Sequence, residues 1–116
     1  MQYLALIYGD ESRWGTLSPE QRESEMGEYM ALSNADVTAG GNELDSVATA
    51  TTVRVRNDET LVTDGPFVES KEVLGGYYVF ECDSIDEACG WAAKIPAARH
   101  GAVEVRPVHV DGGEGA

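Results

Sequence analysis

The chain has 116 residues, the size of one ordinary domain and too short for two independent ones. Hydrophobic residues make up 42% and charged residues 25%, which is a globular composition and not a disordered one. Eight basic against 21 acidic residues leave a net charge of −13, which argues against nucleic acid or an anionic membrane surface as a direct partner.

The acidity is spread over both halves and is not an acidic tail. Two cysteines, Cys82 and Cys89, are too few for a disulfide scaffold and read as reduced core thiols. With only His100 and His109 and no Cys-x-x-Cys, no zinc spacing exists, and no metal or cofactor is called for. No apolar run reaches the ~18 residues of a membrane span. The N-terminus has neither a basic start nor a cleavage site, so a soluble cytoplasmic protein is expected.

Residues 2–8 read as a strand. Tyr3, Ala5 and Ile7 point one way and Leu4, Leu6 and Tyr8 the other, so both faces are apolar and both need cover. Residues 19–39 read as a helix. Ser18 is its N-cap, Pro19 its first residue and Gln21 completes a capping box. Met26, Tyr29, Met30, Ser33 and Val37 form its stripe, and Gly40-Gly41 ends it. Residues 48–56 alternate as a strand with one wet face, and 60–63 return as a hairpin partner before Asp64-Gly65-Pro66 breaks the run. Residues 74–82 form another strand apolar on both faces, with Tyr77 and Val79 opposite Tyr78 and Phe80. Ser84 caps a second helix with Glu87 at its third position, a second capping box. Ile85, Ala88, Cys89, Ala92 and Ile95 line its apolar side, and Pro96 stops it. Residues 102–108 make the last strand, and 111–116 read as a flexible, Gly-rich acidic tail after a single domain over 1–110.

This order is the split pattern of an α+β ferredoxin-like sandwich, β-α-β-β-α-β, with an added hairpin strand. The two strands apolar on both faces are the two that such a sheet places centrally. Two helices cover one face only, so a second copy of the chain is expected on the other.

The densest cluster of functional groups is 64–72. A carboxylate, a rigid turn, an aromatic and a Lys-Glu pair fall within nine residues between two strands. Asp64 is either a turn anchor bonded to its own backbone or an acid/base presented to a cavity. Gly65 is expected at a backbone angle that other residues resist, with Pro66 fixing the next. Phe67 and Lys71 are ligand-binding candidates, Lys71 as a holder of an anion. His100 is the residue that could pair with Asp64 near neutral pH. Tyr8 and Tyr78 line either a pocket or the core, and Arg106 is either on a wet strand face or an anion anchor.

Several segments together resemble the YCII-related family, and within it the DGPF subgroup named for the tetrapeptide at 64–67. They are Tyr3-Leu4-Ala5-Leu6-Ile7-Tyr8, Leu17-Ser18-Pro19-Glu20, Ala50-Thr51-Thr52-Val53-Arg54, Val62-Thr63-Asp64-Gly65-Pro66-Phe67, Leu74-Gly75-Gly76-Tyr77-Tyr78, Ile95-Pro96-Ala97-Ala98-Arg99 and Val103-Glu104-Val105-Arg106-Pro107. The resemblance implies a homodimeric α+β barrel in which two ferredoxin-like sheets face each other. It also implies small-molecule chemistry around a His–Asp dyad, and one such relative is a dehydrochlorinase acting on a chlorinated aromatic. This chain has no histidine before residue 100, so an early dyad histidine is missing. The sequence therefore supports two readings. One is a protein binding a small anionic or aromatic ligand, as a lyase or isomerase using Asp64. The other, suggested by the subgroup's frequent company with extracytoplasmic-function sigma factors, is a non-catalytic accessory protein acting by ligand sensing or protein contact.

Overall fold

A computed structural model describes residues 1–110; the expected tail at 111–116 lies outside the described residues. In chain order the elements are β1 (Gln2–Gly9), α1 (Pro19–Ser33), β2 (Thr38–Glu43), β3 (Thr51–Arg56), β4 (Glu59–Asp64), β5 (Val73–Glu81), α2 (Ile85–Ala92) and β6 (Ala102–Pro107). Short 3₁₀ turns lie at Glu11–Thr16, Val47–Thr49 and Pro96–Arg99. The main sheet is antiparallel in the order β2-β5-β1-β6, and β3 and β4 form a separate two-stranded sheet. This is the ferredoxin-like α+β arrangement with an inserted hairpin. β1 and β5 are its central strands, as their two apolar faces require.

Helix starts follow the sequence closely. The Ser18 hydroxyl accepts from the Gln21 N–H at 3.1 Å, and the Gln21 side chain accepts from the Ser18 N–H at 2.8 Å. At α2 the expected capping box is half formed: the Ser84 hydroxyl accepts from the Glu87 N–H at 3.2 Å, but the Glu87 carboxylate accepts from the Asp83 N–H at 3.1 Å and not from that of Ser84.

The expected helix to residue 39 is corrected: α1 stops at Ser33, and the Thr38 hydroxyl donates to the Leu32 carbonyl at 2.6 Å, satisfying one of its end groups. Gly40 and Gly41 therefore do not end a helix. They lie inside β2, a strand that the sequence reading lacked. Gly41 has φ +157°, and a Cβ there would stand 2.6 Å from the Tyr77 carbonyl oxygen and 2.8 Å from the Tyr78 ring. Its neighbour strand approaches too closely for a side chain. The stripe of α1 is also rotated from expectation. Glu25 and Leu32 are buried and Tyr29 half-buried, while Met26 and Met30 are 52% and 60% exposed. In α2, Ala88 and Ala92 are buried but Cys89 and Ile85 are exposed, so only Cys82 is a core thiol. The expected strand over 48–56 is also corrected: 47–49 form a 3₁₀ turn, and β3 begins at Thr51, outside the main sheet.

The core lies between the sheet and the helices. Tyr3, Ala5, Tyr78, Phe80 and Cys82 from the strands meet Leu32, Ala88, Ala92, Ile95 and Ala97. Leu4, Leu6, Tyr8, Tyr77 and Val79 point to the other face. They are half-buried, and no helix among the described residues lies on that face. The chain is accordingly a plate, 47 × 45 × 19 Å, with a radius of gyration of 16.4 Å. A compact domain of this length has about 13 Å.

Candidate functional site

A hollow of about 430 Å³ lies where β1 ends and β5 begins. Asp10, Glu11, Ser12, Val47, Ser70, Lys71 and Val73 line it. Gly9 is in register with Val73, so the hollow continues from the end of the sheet that carries Tyr8. Its two carboxylates are committed to shaping the wall. Asp10 accepts from the Ser12 N–H at 3.0 Å and the Ser12 hydroxyl at 2.7 Å, and these bonds hold its carboxyl below the usual range. Glu11 accepts from the Val47 N–H at 2.6 Å and the Ser46 hydroxyl at 3.0 Å, tying the β1 end to the segment before the hairpin. Lys71, on the facing loop, is exposed and is the cation of this hollow.

The wall is anchored from behind. Arg13 clamps Glu25 of α1 through two bonds of 3.0 and 2.7 Å. Glu25 is the buried charged residue of the described chain, and Arg13 holds its carboxyl below the ordinary value of 4.5. Partial burial, then the Arg13 charge, pushes the His100 imidazole below its usual value, while Glu25 pulls it the other way. Burial raises the Tyr29 phenol in the same cluster.

The structure separates the residues singled out in the sequence. Tyr8 lies on the open sheet face, opposite Ala102 of β6. Arg106 is on the same face beside Leu4, exposed, with its Nε 3.9 Å from Glu104. Tyr78 is on the helix side. It is buried against Phe80 with ring centroids 5.7 Å apart, and its hydroxyl donates to the Tyr29 carbonyl at 3.0 Å. His100 stands among Glu25, Arg13 and Arg99, and Asp64 is not among the charges acting on it.

Asp64 ends β4 opposite Thr51 and is exposed. Other groups hold the turn. The Gly65 N–H donates to the Ala50 carbonyl at 2.8 Å, and the Thr52 hydroxyl donates to the Gly65 carbonyl at 2.7 Å. Gly65 has φ +103°, the left-handed geometry expected of it, and half-buried Pro66 follows. Phe67 is 69% exposed, with the Arg54 guanidinium 4.7 Å over its ring.

Sequence reasoning did not find Asp10, Glu11, Ser12 and Val47. Asp-x-Ser after a strand is a legible turn signal. The Glu11–Val47 tie joins residues far apart in the chain and leaves no local signature.

A protein-family model described as YCII-related domain matches residues 1–110. An uncharacterised protein of Rhizobium meliloti (strain 1021) is 40% identical over 116 residues, covering 93% of this chain and 92% of its own. No helix among the described residues is long and apolar enough to cross a membrane.

Proposed function

The chain belongs to the YCII-related family, and on that premise we propose that it is a small-molecule-binding protein working as a homodimer, with its ligand held between two facing sheets. The observation that carries this reading is the helix-free sheet face. Leu4, Leu6 and Val79 give it an apolar centre, while Tyr8, Tyr77 and Arg106 add aromatic and cationic groups to it. A face meant only for solvent would not bring five half-buried apolar or aromatic side chains together. Lys71, in the hollow that continues this face, adds a second cation. The ligand class is therefore small, and anionic or aromatic.

Two versions of the reading differ at Asp64. As a lyase or isomerase the protein uses this carboxylate as acid/base. As a sensor, including one that serves sigma-factor regulation, it binds the same ligand without turnover. The position of His100 with Glu25 and Arg13 supports binding without a His–Asp dyad.

Thermal melting against a panel of aromatic carboxylates tests both versions. A binder raises the melting temperature of the parent, and Lys71→Met and Tyr8→Ala weaken that rise. Asp64→Asn keeps ligand binding in both versions and lowers turnover about 100-fold or more in the enzymatic one. No shift with any aromatic or anionic probe refutes the reading.

A further inference from the structure

The β3–β4 hairpin has two unlike faces. In its register Thr51, Val53 and Val55 lie opposite Asp64, Val62 and Thr60, so these six share one face. Thr52, Arg54 and Arg56, with Thr63, Leu61 and Glu59, share the other. The chain's own turn furnishes the second face: Thr52 bonds the Gly65 carbonyl, and Phe67 sits under Arg54. Among the described residues the first face has no such cover. Val53, Val55 and Val62 are 60%, 58% and 64% exposed. Neither strand packs extensively on the main sheet or on a helix. A two-stranded ribbon left so is marginal in water, and three clustered valines on it mark a docking surface.

The protomer's area says what covers it. The accessible surface is 7916 Å². A compact globule of 12.5 kDa would expose about 6,200 Å². The excess is on the order of 1,000 Å² or more. Two copies burying it would hide on the order of 2,000–3,500 Å² together, the range of permanent dimers. A plate only 19 Å thick but more than 40 Å across offers that area on its faces, not its edges.

We propose that the hairpin is an exchanged arm: in the homodimer its valine face lies on the open sheet face of the partner copy, and Asp64, on that same face, is delivered to the partner's ligand chamber. The inference rests on the facing-sheet dimer proposed above. It explains why Asp64 is exposed within its own protomer while the rest of the turn is tied down by Thr52 and Gly65. It also places the acidic and cationic groups of one site on two chains. Arg106, Lys71 and Tyr8 come from one copy and Asp64 from the other. A protomer alone is then an incomplete site.

The test uses Val62→Cys in a Cys89→Ser background, so that position 62 carries the exposed thiol while Cys82 stays buried. The thiol is loaded with a photo-crosslinking maleimide. Unlabelled and ¹⁵N-labelled chains are mixed, exchanged and irradiated, and the linked peptides are mapped by mass spectrometry. The expected result is mixed-isotope links from position 62 to β1 or β5 of the other copy, with none from Leu61→Cys on the opposite face. Links only within one chain, links to the partner's helices, or no links overturn the arm. Sedimentation of the same sample separates the two failures. A dimer without these links removes the arm and leaves the facing-sheet dimer standing. A monomer removes both.

Discussion

Glu25→Ala removes the carboxylate that holds the wall of the hollow to α1. The Arg13–Glu25 pair has two bonds of 3.0 and 2.7 Å, with side-chain exposures of 30% and 11%. Exposed ion pairs contribute about 0–1 kcal/mol, and breaking fully buried ones costs about 3–5 kcal/mol. This pair is buried on the acid side and partly wet on the arginine side, so a stranded Arg13 can rehydrate. The expected loss is about 2 kcal/mol at pH 7. The sign with pH follows from the carboxyl's depressed pKa. Its stabilisation is present above the unfolded value near 4.5 and is lost as pH falls through the lower folded value. Urea denaturation of parent and variant at equal protein concentration, stepped from pH 7 to pH 3, should show a gap that narrows below about pH 4.5. A gap that is constant with pH, or under about 0.5 kcal/mol at pH 7, would refute the clamp.

Two further substitutions test the turn and the core. Gly65→Val forces a β-branched residue to φ +103° and should cost about 1–3 kcal/mol in chemical denaturation; an unchanged midpoint would show the turn to be permissive. Tyr78→Phe removes the hydroxyl that bonds the Tyr29 carbonyl and should cost about 1 kcal/mol without changing ligand shifts; a lost ligand shift would instead place Tyr78 in the site.

The parts of the fold legible in the sequence are those written locally. Ser18 and Ser84 announce both helices because a cap is a property of three or four consecutive residues. The doubly apolar runs of β1 and β5 announce the sheet centre because alternation shows directly which faces are buried. β2 was not legible. Thr38-Ala39-Gly40-Gly41 has no alternating apolar residues, and its glycines serve a close approach to Tyr77 and Tyr78 that only the folded sheet defines. The stripe of α1 was misphased because its true buried position carries Glu25. A carboxylate becomes a core-facing residue only when Arg13 stands opposite. The candidate site divides the same way. The Asp64–Lys71 loop stands out by composition, but its separation from His100 and its nearness to Asp10 and Glu11 are tertiary facts.

Facing-sheet dimerisation underlies the ligand chamber. Sedimentation equilibrium at micromolar concentration, run on the parent and on Leu6→Lys at the centre of the open face, tests it most directly. The parent should sediment as a dimer of twice 12.5 kDa, and Leu6→Lys as a folded monomer with an unchanged far-ultraviolet spectrum. A parent that sediments at 12.5 kDa, or a Leu6→Lys variant as dimeric as the parent, would contradict the account.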